Sequence, residues 1–383
     1  VAKQMVLDLK GKLNTINNIK QDIKRAIENK GVDMSNTPFT EYSTKIDEIT
    51  TGGGGSSTFV IPDGMKFQGS TITSVPENLD FSEVTDMSYM FMDCSNLENA
   101  NINTNSATNM EGLFSGCYNM ITAPELKTSK VTSMKNMFKG DISYKMKLKT
   151  VPLYDTTNVT DMYGMFLYNN QLETIPFFNT SNVTNMGGMF SDCSKLKTIP
   201  QIDTSKVTNM QSMFYQCTLL TEIPQLDTSN VTDIQSMFYL CYNLTEIPQL
   251  DTSNVTNARY MFNSCTKLTK IPQLNFGSIT NTTSIFRTSD LTALTDLGGF
   301  TNLKVSWTSN FLDRVPKASV DSLMNVINGL WDWTDYPDGK APLNNGTIYN
   351  FGTTHSLKFG STNLNKLTAE QIAVATAKGW TLT

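Results

Sequence analysis

The stretch DTSKVTNMQSMFYQCTLLTEIPQL, residues 203–226, decides the fold, because two close copies follow it at residues 227–250 and 251–274. The Phe of its Met-Phe pair recurs every 24 residues, at Phe166, Phe190, Phe214, Phe238, Phe262 and Phe286. The Pro near its end keeps the same step, at Pro176, Pro200, Pro224, Pro248 and Pro272. Self-similarity at a fixed period of this length indicates a solenoid of stacked rungs.

Earlier rungs are more degenerate copies of the same unit. Their phenylalanines are Phe67, Phe91, Phe114 and Phe138. The step from Phe138 to Phe166 is 28 residues, because four residues are inserted within 141–147. The insertion is predicted to form a loop that leaves one face of the array.

The pattern within one rung predicts its local structure. Val207, Met210, Met213 and Phe214 have helical spacing, which predicts a short helix or 3₁₀ turn with one inward face. Leu220 and Ile223 are predicted to pair in parallel with neighbouring rungs until the proline ends the pairing. The predicted fold is therefore α/β, a leucine-rich-repeat-type solenoid of about 24-residue rungs with parallel strands, an N-terminal helical segment and a C-terminal α/β cap.

All six cysteines occupy one slot, three residues after the Phe: Cys94, Cys117, Cys193, Cys217, Cys241 and Cys265. Because Ser70, Asn169 and Ser289 hold this slot in other rungs, we predict buried free thiols and no disulfide framework. Most of the 20 methionines fall at inward slots, where core filling is their predicted role. The repeated Asp203, Asp227 and Asp251 favour turn capping over calcium, which needs more oxygen ligands.

Composition narrows the function. A net charge of -5 and a pI near 5.1 predict no nucleic-acid partner, and no apolar run is long enough to insert into a membrane. The single histidine, His355, removes most His-based triads and metal sites. We predict no enzyme, no catalytic residues, no cofactor and no metal. A glycan depolymerase stays an alternative only through Asp332, Asp335 and Asp338, which no carboxylate opposes in sequence.

The two ends differ from the rungs, so four regions are predicted. Residues 1–50 form a helical or coiled-coil attachment module, 51–58 a Gly/Ser linker, 59–290 the solenoid and 291–383 a capping region. The module carries a heptad pattern that permits a dimer or trimer, with a self-packed helical hairpin as the alternative. Its apolar positions, the candidate docking residues, are Val6, Leu9, Leu13, Ile16, Ile23 and Ile27.

Helical and aromatic patterns fill the capping region. A stripe from Val320 to Leu330 and a second segment at 367–378, stopped by Gly379, predict two helices, and the last residues predict a short strand. The aromatic and acidic stretch 331–336 suits either cap packing, which we favour, or sugar stacking.

The unit D-T-S-N-V-T-x-M-x-x-M-F-x-x-C-x-x-L-x-x-I-P resembles the BspA-type leucine-rich repeats of bacterial surface proteins over about residues 60–290. That resemblance implies adhesion and partner binding. Residues 19–49 are similar to segments that begin tail and appendage proteins of bacteriophages, and the first ten residues show no signal-peptide core.

Together these features predict a non-enzymatic virion tail fibre or appendage. Residues 1–50 would dock on other virion tail proteins, and the solenoid would bind a host surface protein or glycan. The alternatives are a bacterial cell-surface adhesin and a purely structural virion spacer. The candidate receptor-binding residues, either a ridge or scattered surface tyrosines, are Tyr168, Tyr215, Tyr239, Tyr242 and Tyr260.

Overall fold

The computed structural model describes residue 24, residues 59–286, residue 291 and residues 293–304, 315–343, 346–351 and 353–383. The predicted linker 51–58 lies outside these residues. So do the predicted docking positions Val6, Leu9, Leu13, Ile16, Ile23 and Ile27. The attachment module and its oligomeric state therefore stay predictions.

Successive rungs pair in parallel, but in the middle of the array the pairing lies at Asn209 and its equivalents, before the Met-Phe segment, and no bridge joins the predicted segment of Leu220 and Ile223. In the middle of the array the pairing is reduced to single bridges, such as Asp161 with Asn185 and Asn185 with Asn209. Near the two ends it lengthens to two-residue parallel strands, paired β1 with β2, β3 with β5 and β4 with β6. These strands are β1 (Phe59–Val60), β2 (Leu79–Asp80), β3 (Lys270–Ile271), β4 (Leu274–Asn275), β5 (Asp296–Leu297) and β6 (Phe300–Thr301).

The Met-Phe segment of the rung corrects one prediction. Residues 210–217 form a run of turns and no helix: the N–H of Met213 donates to the carbonyl of Met210, and that of Cys217 to Phe214, at 3.2 and 3.1 Å. Ser212 and Gln216 have φ of 55° and 57°. A left-handed residue in each turn reverses the local twist, so the predicted short helix or 3₁₀ turn cannot continue.

The left-handed residues turn every second N–H toward the next rung. The N–H groups of Met210, Ser212, Phe214 and Gln216 donate to carbonyls of residues 233, 235, 237 and 239 at 2.7–3.0 Å. The N–H groups between them close the turns within the rung. The backbone of this segment therefore satisfies its hydrogen bonds between rungs and within turns, as buried peptide groups require.

One continuous core runs along the array. Phe214 is fully buried, and its ring centroid lies 5.9 Å from those of Phe190 and Phe238. The six cysteines are buried and unpaired, which confirms the predicted free thiols. Each Sγ–H donates to the backbone carbonyl of a phenylalanine in the preceding rung, as Cys217 does to Phe190 at 3.1 Å. The cysteine slot thus links neighbouring rungs through the core.

The polar turn of each rung works as its sequence predicts. Asp203 Oδ1 accepts hydrogen bonds from the N–H and the hydroxyl of Ser205 at 3.0 and 2.7 Å, which holds the pKa of Asp203 below its ordinary value. Asn230 Nδ2 donates to the carbonyl of Ser205 in the rung before it, at 2.8 Å. The Asp side chain caps the turn of its own rung, and the Asn side chain links its turn to the turn of the preceding rung.

The C-terminal region is a mixed α/β layer against the last rungs. Helix α1 (Val320–Asn328) contacts β5 and β6, and its first turn is capped by Ser319. Short helix α2 (Gly360–Leu364) precedes α3 (Ala369–Ala377), which begins with a Thr368 and Gln371 capping box. The remaining strands are antiparallel β7 (Lys340–Pro342) and β8 (Ile348–Asn350), and parallel β9 (Ser356–Leu357) and β10 (Thr381–Leu382).

The aromatic stretch 331–336 packs inside this region. Trp333 is buried and stacks on His355 with ring centroids 3.8 Å apart. Trp380 donates its indole N–H to the carbonyl of Trp331 at 2.8 Å. Asp332 caps a local turn at Thr334. These contacts favour cap packing for this stretch over sugar stacking.

Candidate functional site

Four of the five candidate tyrosines lie together on one face of the array. Tyr215 and Tyr239 directly follow the phenylalanines of their rungs, whereas Tyr168 lies two residues after Phe166. Tyr260 lies just before Met261 and Phe262. The fifth, Tyr242, follows Cys241 and is 40% exposed, outside the residues that line this face. The structure therefore brings four tyrosines into the lining of this face, and Tyr242 is not part of that lining.

The face is a groove made of two adjoining cavities that share Ser212 and Tyr215. The first has a volume of about 330 Å³ and the second about 530 Å³. The residues lining the first are Ile142, Lys145, Tyr168, Ser191, Asp192, Ser212, Tyr215 and Gln216. Those lining the second are Ser212, Tyr215, Gln235, Ser236, Tyr239, Tyr260 and Asn263. We call the two together the tyrosine groove; it crosses five consecutive rungs.

Three aromatic rings line the second cavity. Tyr215 and Tyr239 stack with ring centroids 5.1 Å apart and planes 16° apart. Tyr239 meets Tyr260 edge to face at 6.0 Å and 69°. The guanidinium of Arg259 lies 4.5 Å from the Tyr260 ring and donates to its hydroxyl at 2.9 Å. These contacts hold the rings in fixed positions before any ligand arrives.

An ion pair closes the first cavity. Lys145, which comes from the four-residue insertion, places Nζ 3.3 Å from Asp192 Oδ1 and 4.2 Å from the centroid of the Tyr168 ring. Burial raises the pKa of Asp192, and the attraction to Lys145 only partly offsets it. Ile142 of the same insertion is 71% exposed and forms the lip of the cavity. The predicted loop therefore leaves the array and borders the groove.

Left-handed backbone positions supply many of the groove side chains. Each complete rung has two variable pairs, one before the Met-Phe pair and one after it. The second residue of a pair has positive φ in most rungs, with Gly140 as an exception. In the first pair these residues are Tyr89, Gly112, Asn136, Gly164, Gly188, Ser212, Ser236, Tyr260 and Ser284. In the second pair they are Asp93, Gly116, Tyr168, Asp192, Gln216, Leu240 and Ser264. Six of the non-glycine members line the groove.

Sequence reasoning missed Lys145, Asp192 and Gln216 as groove residues. Asp192 and Gln216 hold the same slot as Gly116, whose conformation at φ 77° is one that glycine adopts freely. Glycine at this slot in several rungs was a usable signal that the slot is left-handed in most of them. Lys145 had no such signal, because its place depends on how the insertion folds back over a rung 47 residues away in sequence.

The groove is lined by neutral polar groups, aromatic rings and one ion pair. Its polar groups are hydroxyls, amides, one ion pair and one arginine beside a tyrosine. Burial raises the pKa of the cysteine thiols, to about 11 for Cys94 and about 12 for Cys241, so they stay protonated in the core. In the ranges that the structure describes, no cluster of three His, Cys, Asp or Glu side chains is placed to hold a metal ion. Within the same ranges, no helix is long and apolar enough to cross a bilayer.

Comparison with known proteins places the rungs in a described family. The model of a Mycoplasma protein of unknown function, DUF285, matches three overlapping stretches, residues 63–139, 119–217 and 194–297. No curated protein matches the chain. Together the three family matches cover more than half of the chain.

Two solved structures are similar to the rungs, and both are bacterial leucine-rich repeat proteins. The one from Bacteroides ovatus ATCC 8483 shares 19% identity, with 63% of this chain and 76% of that chain covered at a TM-score of 0.25. The one from Eubacterium ventriosum ATCC 27560 shares 16% identity, with 62% and 89% covered at a TM-score of 0.26. Neither is a bacteriophage protein.

Proposed function

This chain belongs to the family described as Mycoplasma protein of unknown function, DUF285, and we propose that its solenoid is a non-enzymatic recognition surface that binds a partner at a cell surface through the tyrosine groove. In this proposal the bacterial cell-surface adhesin, an alternative in the sequence analysis, replaces the virion tail fibre as the leading function. The family match supports that choice, because its model describes a protein of Mycoplasma, a bacterium, and the repeat unit resembles those of bacterial surface proteins.

The observation that carries the proposal is the identity of the left-handed residues in the groove. A side chain at positive φ costs on the order of 1 kcal/mol, and more for a bulky residue such as Tyr168 or Tyr260, at φ 65° and 59°. Glycine would avoid this cost, and Gly164 and Gly188 do so in equivalent slots. Side chains also hold such slots outside the groove, as Tyr89 and Leu240 do, but Tyr168, Gln216 and Tyr260 line one surface with the stacked pair Tyr215 and Tyr239. Side chains kept on one surface at the expense of stability are the pattern expected of a binding surface.

The first test removes the stacked ring pair. We expect the double variant Tyr215→Ala and Tyr239→Ala to bind intact cells at least about tenfold more weakly than the unchanged chain, since buried aromatic anchors carry most of the energy of an interface. The measurement is a titration of the fluorescently labelled chain on a panel of bacterial and epithelial cells.

Tyr242→Ala is the matched control, because Tyr242 is an exposed tyrosine outside the groove. It should leave cell binding unchanged, and thermal melts should show that all variants are folded. Equal cell binding by the double variant and the unchanged chain would contradict the proposal.

A second test separates binding from stability. We expect Gln216→Gly to raise the free energy of unfolding by about 1 kcal/mol, because glycine relieves the left-handed backbone, while it weakens cell binding. Asp93→Gly is the control at the same slot outside the groove, with φ 60°. It should give a smaller gain in stability, since Asp tolerates this conformation better, and no change in binding. Urea denaturation and the cell titration measure the two effects.

The virion tail fibre remains a second candidate, and the resemblance of residues 19–49 to bacteriophage segments is the observation in its favour. In that form residues 1–50 dock on other tail proteins and the groove meets the host. Immunogold labelling distinguishes the two locations. Gold on the surface of bacterial cells supports the adhesin, whereas gold on purified bacteriophage particles supports the tail fibre.

A further inference from the structure

A partner that binds in the tyrosine groove can contact side chains but almost no free backbone groups. Its peptide N–H groups are used between rungs or within turns: Ser212 donates to Gln235, Gln216 to Tyr239 and Tyr215 to Ser212. A peptide that binds as an added strand needs an open row of backbone donors and acceptors. The groove presents no such row, so strand addition is disfavoured there.

The charge of the groove disfavours a polyanion. Lys145 is paired with Asp192, and among the described residues no other Lys or Arg lines the two cavities; Arg259 lies beside Tyr260. Proteins that bind nucleic acid or other polyanions carry clustered Lys and Arg, whereas this chain has a net charge of -5. The ligand of the groove is therefore close to neutral.

The lining combines aromatic rings with hydroxyl and amide groups. Tyr215, Tyr239 and Tyr260 lie among Ser212, Ser236 and the amides of Gln216, Gln235 and Asn263. A tyrosine ring has a negative face that attracts polarised C–H groups, and its hydroxyl both donates and accepts. An apolar helix would need an apolar groove, but a sugar presents C–H faces and hydroxyls at once and matches both parts of this lining.

The groove also repeats. The phenylalanine rings beneath it are spaced 5.9–6.0 Å from rung to rung across the rungs of Tyr168 to Tyr260. A polymer laid along the array meets a tyrosine in four of these five rungs, and Ser191 and Asp192 in the other. The ion pair of Lys145 and Asp192 and the exposed Ile142 stand at one end of this track.

We infer that the tyrosine groove binds a neutral glycan chain laid along the solenoid axis. The inference rests on the proposed function and names its ligand. Sugar rings pack on the tyrosines, and their hydroxyls exchange hydrogen bonds with the serine and amide side chains. Each contact is weak, and affinity grows with the number of rungs that the glycan covers.

The experiment uses the full chain on an array of neutral and acidic oligosaccharides, from disaccharides to hexasaccharides. In parallel, the cell titration is repeated after periodate, which cleaves vicinal diols of sugars, and after protease. We expect neutral oligosaccharides to bind with affinity that rises with length, and the double variant Tyr215→Ala and Tyr239→Ala to lose at least about tenfold. Groove-dependent cell binding should be lost after periodate and survive protease.

The outcomes separate this inference from the function on which it rests. Groove-dependent cell binding that survives periodate and is lost after protease overturns the glycan and leaves the recognition proposal in place. Binding confined to acidic oligosaccharides also overturns it, because the ligand is then not neutral. Cell binding that Tyr215→Ala and Tyr239→Ala do not change overturns the recognition proposal itself. Tyr242→Ala serves as the control throughout.

Discussion

Replacing Phe214 by alanine should lower the free energy of unfolding by about 3–5 kcal/mol, because it removes a fully buried ring from the middle of the core. The cavity lies among three rungs, since the ring stacks on Phe190 and Phe238 at 5.9 Å on either side. Both stacking contacts are lost together, and each is worth about 0.5–1.5 kcal/mol beyond the area that the ring buries. The midpoint and slope of urea unfolding measure the change.

The chain provides a matched control in Phe177, which is 61% exposed on the outer face of its rung. Phe177→Ala is the same chemical change and should alter the free energy of unfolding by no more than about 0.5 kcal/mol. Similar losses for the two variants would show that the stacked rings do not hold the rungs together. A large loss for Phe214→Ala alone is what a one-dimensional stack of rungs requires.

The inward-facing positions of the rung could be predicted from the sequence, because a residue that repeats at a fixed period has the same environment in every rung. A side chain that recurs at every step, as Phe214 and Cys217 do, either faces the neighbouring copies or faces solvent, and apolar residues at that density must face inward. The Asp203 turn follows in the same way, since a side-chain oxygen two residues before a free N–H caps it locally. Local chemistry decides both features.

The turns of the Met-Phe segment could not be predicted from spacing alone. Val207, Met210, Met213 and Phe214 have the spacing of a helix, yet φ is positive at Ser212, so the chain turns twice where a helix would continue. Hydrogen bonds to the next rung outweigh the intrinsic preference of serine for a right-handed conformation. The spacing of apolar residues indicates which side chains face the core. A helix and a run of turns both place these side chains in the core, so the spacing does not distinguish the two.

The groove was only partly predictable for a related reason. Tyr215 and Tyr239 sit in variable slots, and variable aromatic slots in a repeat suggest a surface for contact. Tyr242 was predicted with them because it also lies at or next to a variable slot, but it follows Cys241 and is not among the residues that line the two cavities. Lys145 and Asp192 meet only after the insertion has folded, and sequence spacing carries no information about that contact.

The largest effect of pH should come from the buried cysteines. Burial raises the pKa of all six thiols in the folded chain, to about 11 for Cys94, to about 12 for Cys241, and well above the ordinary value for Cys217. An unfolded thiol titrates near pH 8.5. Between these values the unfolded chain releases protons that the folded chain keeps, so the stability present below about pH 8.5 is lost as pH rises toward the folded pKa values.

The expected loss of folding free energy at alkaline pH is large. Each thiol contributes about 1.4 kcal/mol for each pH unit above its unfolded pKa, so six thiols together contribute about 8 kcal/mol per unit. Lys304 acts in the opposite direction, because burial lowers its pKa to about 8 and stability rises as pH goes from there to 10.5. Burial also lowers the pKa of Lys66 and Lys366, and three lysines against six thiols do not reverse the sign. The array should therefore lose most of its stability between about pH 9 and 11.

A chain with all six cysteines replaced by serine tests this cause, because Ser70 and Asn169 already occupy the same slot in other rungs. Asn169 Nδ2 donates to the carbonyl of Phe138 at 2.6 Å, as the thiols do to other phenylalanines, so a polar donor is accepted there. Urea unfolding at steps from pH 7 to 11 should show a steep fall for the cysteine chain and a shallow one for the serine chain. If both fall equally, other groups such as the buried hydroxyl of Tyr154 set the alkaline limit, and thiol burial is not the cause. If only the cysteine chain falls, the slot that joins the rungs through the core is also what restricts the protein to neutral and acidic solution.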